Sequence, residues 1–102
     1  MTTETLISQS RARFEHAAAK RLLKEKYEAK MLFAYNGGMW RAGPELLTLL
    51  HAVPVDDDVV LLDLYNNPVQ VTPVELQHLA FGRWQEQMNG WLVEYNELNK
   101  QR

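Results

Sequence analysis

The fold is decided at residues 72–98, which read TPVELQHLAFGRWQEQMNGWLVEYNEL. Thr72 is a good helix cap, Pro73 suits the first helical position, and Glu75 can reach back to complete a capping box. These signals predict a helix that begins at Pro73 and ends near Asn96. A long C-terminal helix is therefore the first element of the predicted fold.

A seam of large apolar side chains follows this helix at alternating spacings of three and four residues. It consists of Phe81, Trp84, Met88, Trp91, Tyr95 and Leu98. The spacing is that of a heptad seam, with aromatic rings replacing the leucine or isoleucine of a simple zipper. The seam either packs within the chain or forms an interface. Both interpretations can hold together, with the N-terminal part of the seam in the core and residues 91–98 projecting from it. Gly82 and Gly90 are costly in a helix interior and indicate close approach of another helix or chain. We predict that the six seam residues form the working interface.

Two hairpins are predicted upstream of this helix. Val59–Tyr65 and Pro68–Thr72 pair around a two-residue turn, with Leu62 facing Val71 on an apolar side. Asn36-Gly37 predicts another tight hairpin, because a type I′ turn needs positive φ at both central residues. The alternative for this second segment is that the first helix continues and ends at the glycine.

Two further helices complete an α+β fold. The first covers residues 5 to about 30, is capped by Thr2 or Thr3, and carries a broad apolar stripe. The stripe consists of Phe14, Ala18, Leu22, Leu23, Tyr27 and Met31. A short helix begins at Pro44 and is stopped by Pro54. Its buried side chains are predicted to be Leu46, Leu47, Leu49 and Leu50.

Length and composition limit the classes of function. The 102 residues predict one domain over 1–102, with flexible tails at 1–4 and 99–102. Because cysteine is absent, there is no disulfide framework, thiolate metal site or cysteine nucleophile. Residues 1–43 carry eight Lys/Arg and four Asp/Glu, whereas residues 44–102 carry three and nine. The two halves therefore attract each other or attract oppositely charged partners.

No catalytic, cofactor or metal site emerges from the residue patterns. Glu75 and His78 have the spacing found in di-iron bundles, but the second motif is missing and the capping box already explains Glu75. His51 precedes the consecutive acids Asp56–Asp58, which lack the alternate spacing of a calcium loop. We therefore expect neither an enzyme nor a cofactor.

Basic side chains on the first helix provide an alternative function. They are Arg11, Arg13, Lys20, Arg21 and Lys24. Such a helix can follow a phosphate backbone. Interspersed glutamates dilute the charge, and the acidic half of the chain is an equally suitable partner. Nucleic-acid binding is therefore the alternative to protein association.

The chain also has a characteristic order of motifs. An Asn-Gly-Gly turn with Met39-Trp40 precedes Pro44–Leu47, the Asp63–Pro68 hairpin and the capped Trp/Met helix. This order resembles small accessory proteins from the structural and assembly gene clusters of tailed bacteriophages, most closely over residues 59–80. The resemblance implies a virion component or an assembly chaperone that acts through protein contacts, and it assigns no functional residue.

These features predict a non-catalytic protein–protein association module of bacteriophage type. Its partners are expected to be a second copy of the chain or other phage structural proteins, in the host cytoplasm or the virion. Neither a secretory signal nor an apolar run of membrane-spanning length is present, so no membrane association is expected. The alternatives are a nucleic-acid-associated accessory protein and a small regulator that binds a host enzyme.

Overall fold

A computed structural model describes residues 3–100. Its elements in chain order are α1 (Thr3–Lys30), β1 (Leu32–Tyr35), β2 (Gly38–Arg41), α2 (Pro44–Ala52), β3 (Val59–Leu62), β4 (Pro68–Val71) and α3 (Pro73–Lys100). This order confirms the α+β class. Within the predicted tails, residues 3–4 and 99–100 are helical. Thr2 and the other terminal residues lie outside the described part of the chain.

The two long helices pair antiparallel and give the molecule an elongated shape. Its dimensions are 67 × 23 × 21 Å and its radius of gyration is 19.5 Å, compared with about 13 Å for a compact chain of this length. Tyr27 stacks on Trp91 and Lys20 lies over Tyr95, so α3 ends beside the middle of α1. Residues 3–15 of α1, here called the arm, are all exposed.

The first hairpin confirms the turn predicted at Asn36-Gly37. Strands β1 and β2 are antiparallel, with Tyr35 opposite Gly38. Asn36 has a φ of 51° and Gly37 a φ of 79°, as a type I′ turn requires. The indole of Trp40 donates a hydrogen bond to the Tyr35 carbonyl across the hairpin (3.0 Å).

The second hairpin has a different register from the predicted one. Leu61 lies opposite Val69, and residues 63–67 form the connecting loop in place of a two-residue turn. The predicted register placed Leu62 on the apolar face, but Leu62 is exposed. The physical reason is Asp63, whose carboxylate accepts hydrogen bonds from amides of this loop and holds it open.

Helix α3 begins at Pro73 as predicted and continues to Lys100, past the predicted end near Asn96. The Thr72 hydroxyl donates to Asp58 Oδ1 (3.0 Å). Glu75 is exposed, and within residues 3–100 its carboxylate makes no hydrogen bond to Thr72. The predicted capping box is therefore wrong, because the loop before β3 engages the cap residue.

The core lies where the hairpins, α2 and the first half of α3 meet. It consists of Met31, Phe33, Tyr35, Trp40, Ala42, Leu50, Val71, Leu76 and Ala80. Two predictions of burial are wrong. Leu49 is exposed on α2, and the stripe of α1 is divided, with Tyr27 buried but Phe14 and Leu22 exposed. At about 100° per residue, Phe14 and Leu22 lie on the opposite side of the helix from Tyr27.

Candidate functional site

An open groove of about 970 Å³ lies between the end of α1, the helix α2 and the middle of α3. All three tryptophans of the chain line it: Trp40 from β2, and Trp84 and Trp91 from α3. Met88 of α3 and Leu49 of α2 extend the apolar lining. We call this feature the tryptophan groove.

The first half of the predicted seam divides between the core and the surface. Trp84 and Met88 are half-buried, pack against the core and also line the tryptophan groove. Phe81 is exposed, with its ring centroid 6.3 Å from that of Trp84. This half therefore supports the hydrophobic core and leaves aromatic surface accessible.

The second half of the seam lies along α1. Trp91 and Tyr27 are stacked, with centroids 6.1 Å apart and planes within 5°. Lys20 Nζ is 5.7 Å from the centroid of the Tyr95 ring, which is partly exposed. Leu98 is half-buried. The seam is thus partly an internal helix contact.

A cluster of polar groups closes the contact between the two long helices. Glu94 accepts hydrogen bonds from Tyr27 Oη and from Lys26 Nζ, the latter at 2.8 and 3.0 Å to its two oxygens. The hydrogen bond from Lys26 is the main cause that lowers the pKa of Glu94. The bond to Glu94 raises the pKa values of both Lys26 and Tyr27. Basic and acidic halves of the chain therefore attract each other here, as their charges indicate.

The two glycines of α3 have different surroundings. A Cβ atom at Gly90 would lie 3.2 Å from Cε1 and Oη of Tyr27, so Gly90 permits the close helix approach that was predicted. A Cβ at Gly82 would meet no atom within 4 Å among the described residues. The prediction of a close contact is therefore confirmed within the chain at Gly90 and is not met within the chain at Gly82.

Asp63 joins the two hairpins beneath the groove. Its side chain is buried and accepts hydrogen bonds from the amides of Met39 (3.1 Å), Tyr65 (3.0 Å) and Asn67 (2.8 Å). These bonds, with that from Asn67 the strongest contributor, lower the pKa of Asp63. Sequence reasoning missed this role. The signal was an aspartate at the start of a loop, where a carboxylate commonly accepts the amide two residues ahead.

The rim of the tryptophan groove is acidic. Glu25, Glu28 and Glu45 are exposed there, and Arg41 is the only basic side chain among the lining residues that the structure describes. A groove with this lining attracts cationic groups and offers aromatic surface behind them.

The basic residues of the alternative function do not form one surface. Lys24 Nζ lies 3.7 Å from a Glu28 oxygen, and Lys20 lies over Tyr95. Arg11 and Arg13 are on the arm, about 200° apart around the helix axis, and Arg21 is exposed further along α1. At about 100° per residue, Arg13, Lys20 and Lys24 lie on one side of α1 and Arg11 lies on the other, so only part of this basic set shares a surface.

Neither a metal-ligand cluster nor a helix able to cross a membrane occurs among residues 3–100. Across this range, no three His, Asp or Glu side chains are grouped as metal ligands would be. None of the helices described has the length and apolar character needed to cross a membrane. Comparison with protein-family models, curated proteins and solved structures finds no match. The resemblance to bacteriophage accessory proteins and the functions that it implies stay predictions.

Proposed function

We propose that the chain is a non-catalytic protein–protein association module and that the tryptophan groove is its partner-binding surface. The observation that carries the proposal is that the half-buried rings of Trp84 and Trp91 line one open concavity, with the buried Trp40 beneath them. Tryptophan is enriched among the residues that dominate binding energy at protein interfaces. Concave, apolar clefts with a few polar groups are also the usual form of binding sites.

The rim defines the chemistry of the partner. Glu25, Glu28 and Glu45 favour a segment that carries Lys or Arg, and the rings behind them favour apolar anchors. An amphipathic helix with a cationic border meets both requirements and binds in the helix-in-groove mode. The partner is therefore a basic, amphipathic protein segment.

Two carboxylates whose pKa values are lowered have structural partners, which supports a role without catalysis. Asp63 is held by three backbone amides, and Glu94 is held by Lys26 and Tyr27. Each carboxylate is engaged in joining elements of the fold. A phage virion component or assembly factor is the setting that the sequence resemblance favours for such a module.

The proposal is tested by tryptophan fluorescence with a synthetic helical peptide of leucine and lysine, compared with the same pattern of leucine and glutamate. We expect a saturable shift of emission with the lysine peptide only. Leu49→Arg, at the groove, should weaken this binding by about tenfold or more. Leu92→Arg is the matched control, because Leu92 is exposed on α3 outside the groove.

Two results would contradict the proposal. The first is the absence of a saturable response to the lysine peptide in the parent chain. The second is an equal loss of binding in Leu49→Arg and Leu92→Arg, because the groove would then have no special role.

A further inference from the structure

Helix α1 has a second apolar face, which lies on the opposite side of the helix from Tyr27 and its contact with Trp91. We call it the outer face, and it consists of Ile7, Arg11, Phe14, Ala18, Leu22, Glu25 and Ala29. At about 100° per residue these side chains fall within one narrow arc, opposite Tyr27. Phe14 is 72% exposed, Leu22 61% and Ile7 56%. More than half of each of these three side chains is therefore accessible in the structure of residues 3–100.

The order of residues on the outer face is symmetric about its centre. Successive members are separated by 4, 3, 4, 4, 3 and 4 residues, a series that is the same from either end. Ala18 is the midpoint. Phe14 and Leu22 are equidistant from it, as are Arg11 and Glu25, and Ile7 and Ala29.

We propose that the outer face is a homodimer interface, in which α1 helices from two copies of the chain pack antiparallel about Ala18. A twofold axis at this point places Ala18 against Ala18 of the second copy. It also places Phe14 against Leu22, Arg11 against Glu25, and Ile7 against Ala29, each pair occurring twice. A face that is complementary to itself under a twofold rotation is the requirement for an isologous dimer.

The charges select the antiparallel orientation. In residues 3–100 neither Arg11 nor Glu25 has an ion pair within the chain. Antiparallel packing gives each Arg11 a Glu25 from the second copy, whereas parallel packing in register opposes arginine to arginine and glutamate to glutamate. Like charges facing each other disfavour the parallel dimer.

Helix physics also favours a second copy at this face. An isolated helix as short as the arm is marginal in water, because tertiary packing supplies most helix stability. The outer face extends for about 33 Å along α1, from Ile7 to Ala29. The small side chain of Ala18 lets the two backbones approach, while the Phe14 and Leu22 layers on either side bury apolar area.

The first test measures molar mass in solution as a function of concentration, by light scattering on the full chain. We expect a dimer that Ala18→Glu converts to a monomer, with the dissociation constant raised by about a hundredfold or more. Ala17→Glu is the matched control and should remain dimeric, because Ala17 is exposed on α1 outside this face. Circular dichroism checks that both variants stay folded.

The second test uses the two charged positions. Arg11→Glu and Glu25→Arg should each weaken the dimer by about tenfold or more, and the double variant should restore it. Restoration is the sensitive readout, because a variant that merely damaged the fold would not be rescued by a second charge reversal.

The third test determines orientation and uses the absence of cysteine in the chain. Mixed Ile7→Cys and Ala29→Cys chains should form a disulfide with each other on mild oxidation. Ile7→Cys alone should not form one efficiently, because the two Ile7 positions lie at opposite ends of the interface.

The outer face shares Glu25 and Ala29 with the lining of the tryptophan groove, so the two proposals are tested separately with variants at residues that belong to one surface only. A monomeric parent chain at all concentrations, an equal effect of Ala17→Glu and Ala18→Glu, or efficient cross-linking of Ile7→Cys alone would each overturn the dimer. Ala18→Glu, at a residue that does not line the groove, should leave the peptide response of the tryptophan groove intact. Leu49→Arg, conversely, should leave the dimer intact.

Discussion

The arm and the opposite end of the molecule use apolar side chains in different ways. At the packed end, the hairpins, α2 and the start of α3 enclose a core in which Leu50 and Leu76 are inaccessible to solvent. The arm carries Leu6, Ile7 and Phe14, and all of them are exposed. The comparison teaches that the fold is completed at one end, so the apolar residues of the arm are available for contacts between molecules.

The largest expected effect is on the free energy of unfolding, which should respond differently to substitutions in the two regions. Leu76→Ala should lower the free energy of unfolding by about 2–5 kcal/mol, because it leaves a cavity in the core. Phe14→Ala should change it by less than about 0.5 kcal/mol when the chain is dilute, because that side chain is exposed. Urea denaturation at low protein concentration measures both. A comparable loss for Phe14→Ala would show that the arm packs against the core.

A smaller effect concerns how the packed end responds to acid. The pKa of Asp63 is lowered in the folded chain by its amide donors. The ionised carboxylate therefore stabilises the fold above its ordinary pKa of about 4, and this stabilisation is lost as pH falls through the lowered value. Asp63→Asn should lower the urea midpoint at neutral pH and flatten its decline in acid.

The control for this measurement is Asp57→Asn, because Asp57 is exposed in the loop before β3. It should leave both the midpoint and its pH dependence close to those of the parent chain. The pKa of Glu94 is also lowered, so part of the acid response should persist in Asp63→Asn. An unchanged acid response would mean that the amide bonds to Asp63 contribute nothing to stability.

The two hairpins show which parts of the fold could be predicted from the sequence. The turn at Asn36-Gly37 is local, because backbone conformation alone selects these residues. The loop at residues 63–67 is only partly local, since Asp63 also accepts the amide of Met39 from the other hairpin. The bonds from the Tyr65 and Asn67 amides to Asp63 are local and could have indicated the longer loop, whereas the contact with Met39 appears in no short pattern.

The tryptophan groove and the outer face escaped prediction for a related reason. Periodicity identified the seam on α3, but only tertiary packing brings Trp40 beside Trp84. On α1, the broad stripe contained both covered and uncovered residues. The pattern could not tell which arc of the helix faces α3 until the contact of Tyr27 with Trp91 fixed it.

The smallest expected effect concerns the boundary between the packed end and the paired helices. Substitutions at the two glycines of α3 measure it. Gly82→Ala should stabilise the chain by about 1 kcal/mol, because the new methyl group meets open space and alanine favours the helix. Gly90→Ala gains the same propensity but places Cβ 3.2 Å from the Tyr27 ring. That ring is held by stacking on Trp91 and by its bond to Glu94.

Because Tyr27 cannot move without loosening both contacts, Gly90→Ala should destabilise the chain, in contrast to Gly82→Ala. Thermal unfolding of the two variants at the same low concentration provides the comparison, and each serves as the control for the other's helix propensity. Equal stabilisation by both would mean that Tyr27 yields readily. The close approach of α1 and α3 would then be a loose contact, and the position of α1 relative to the packed end would be less firmly set.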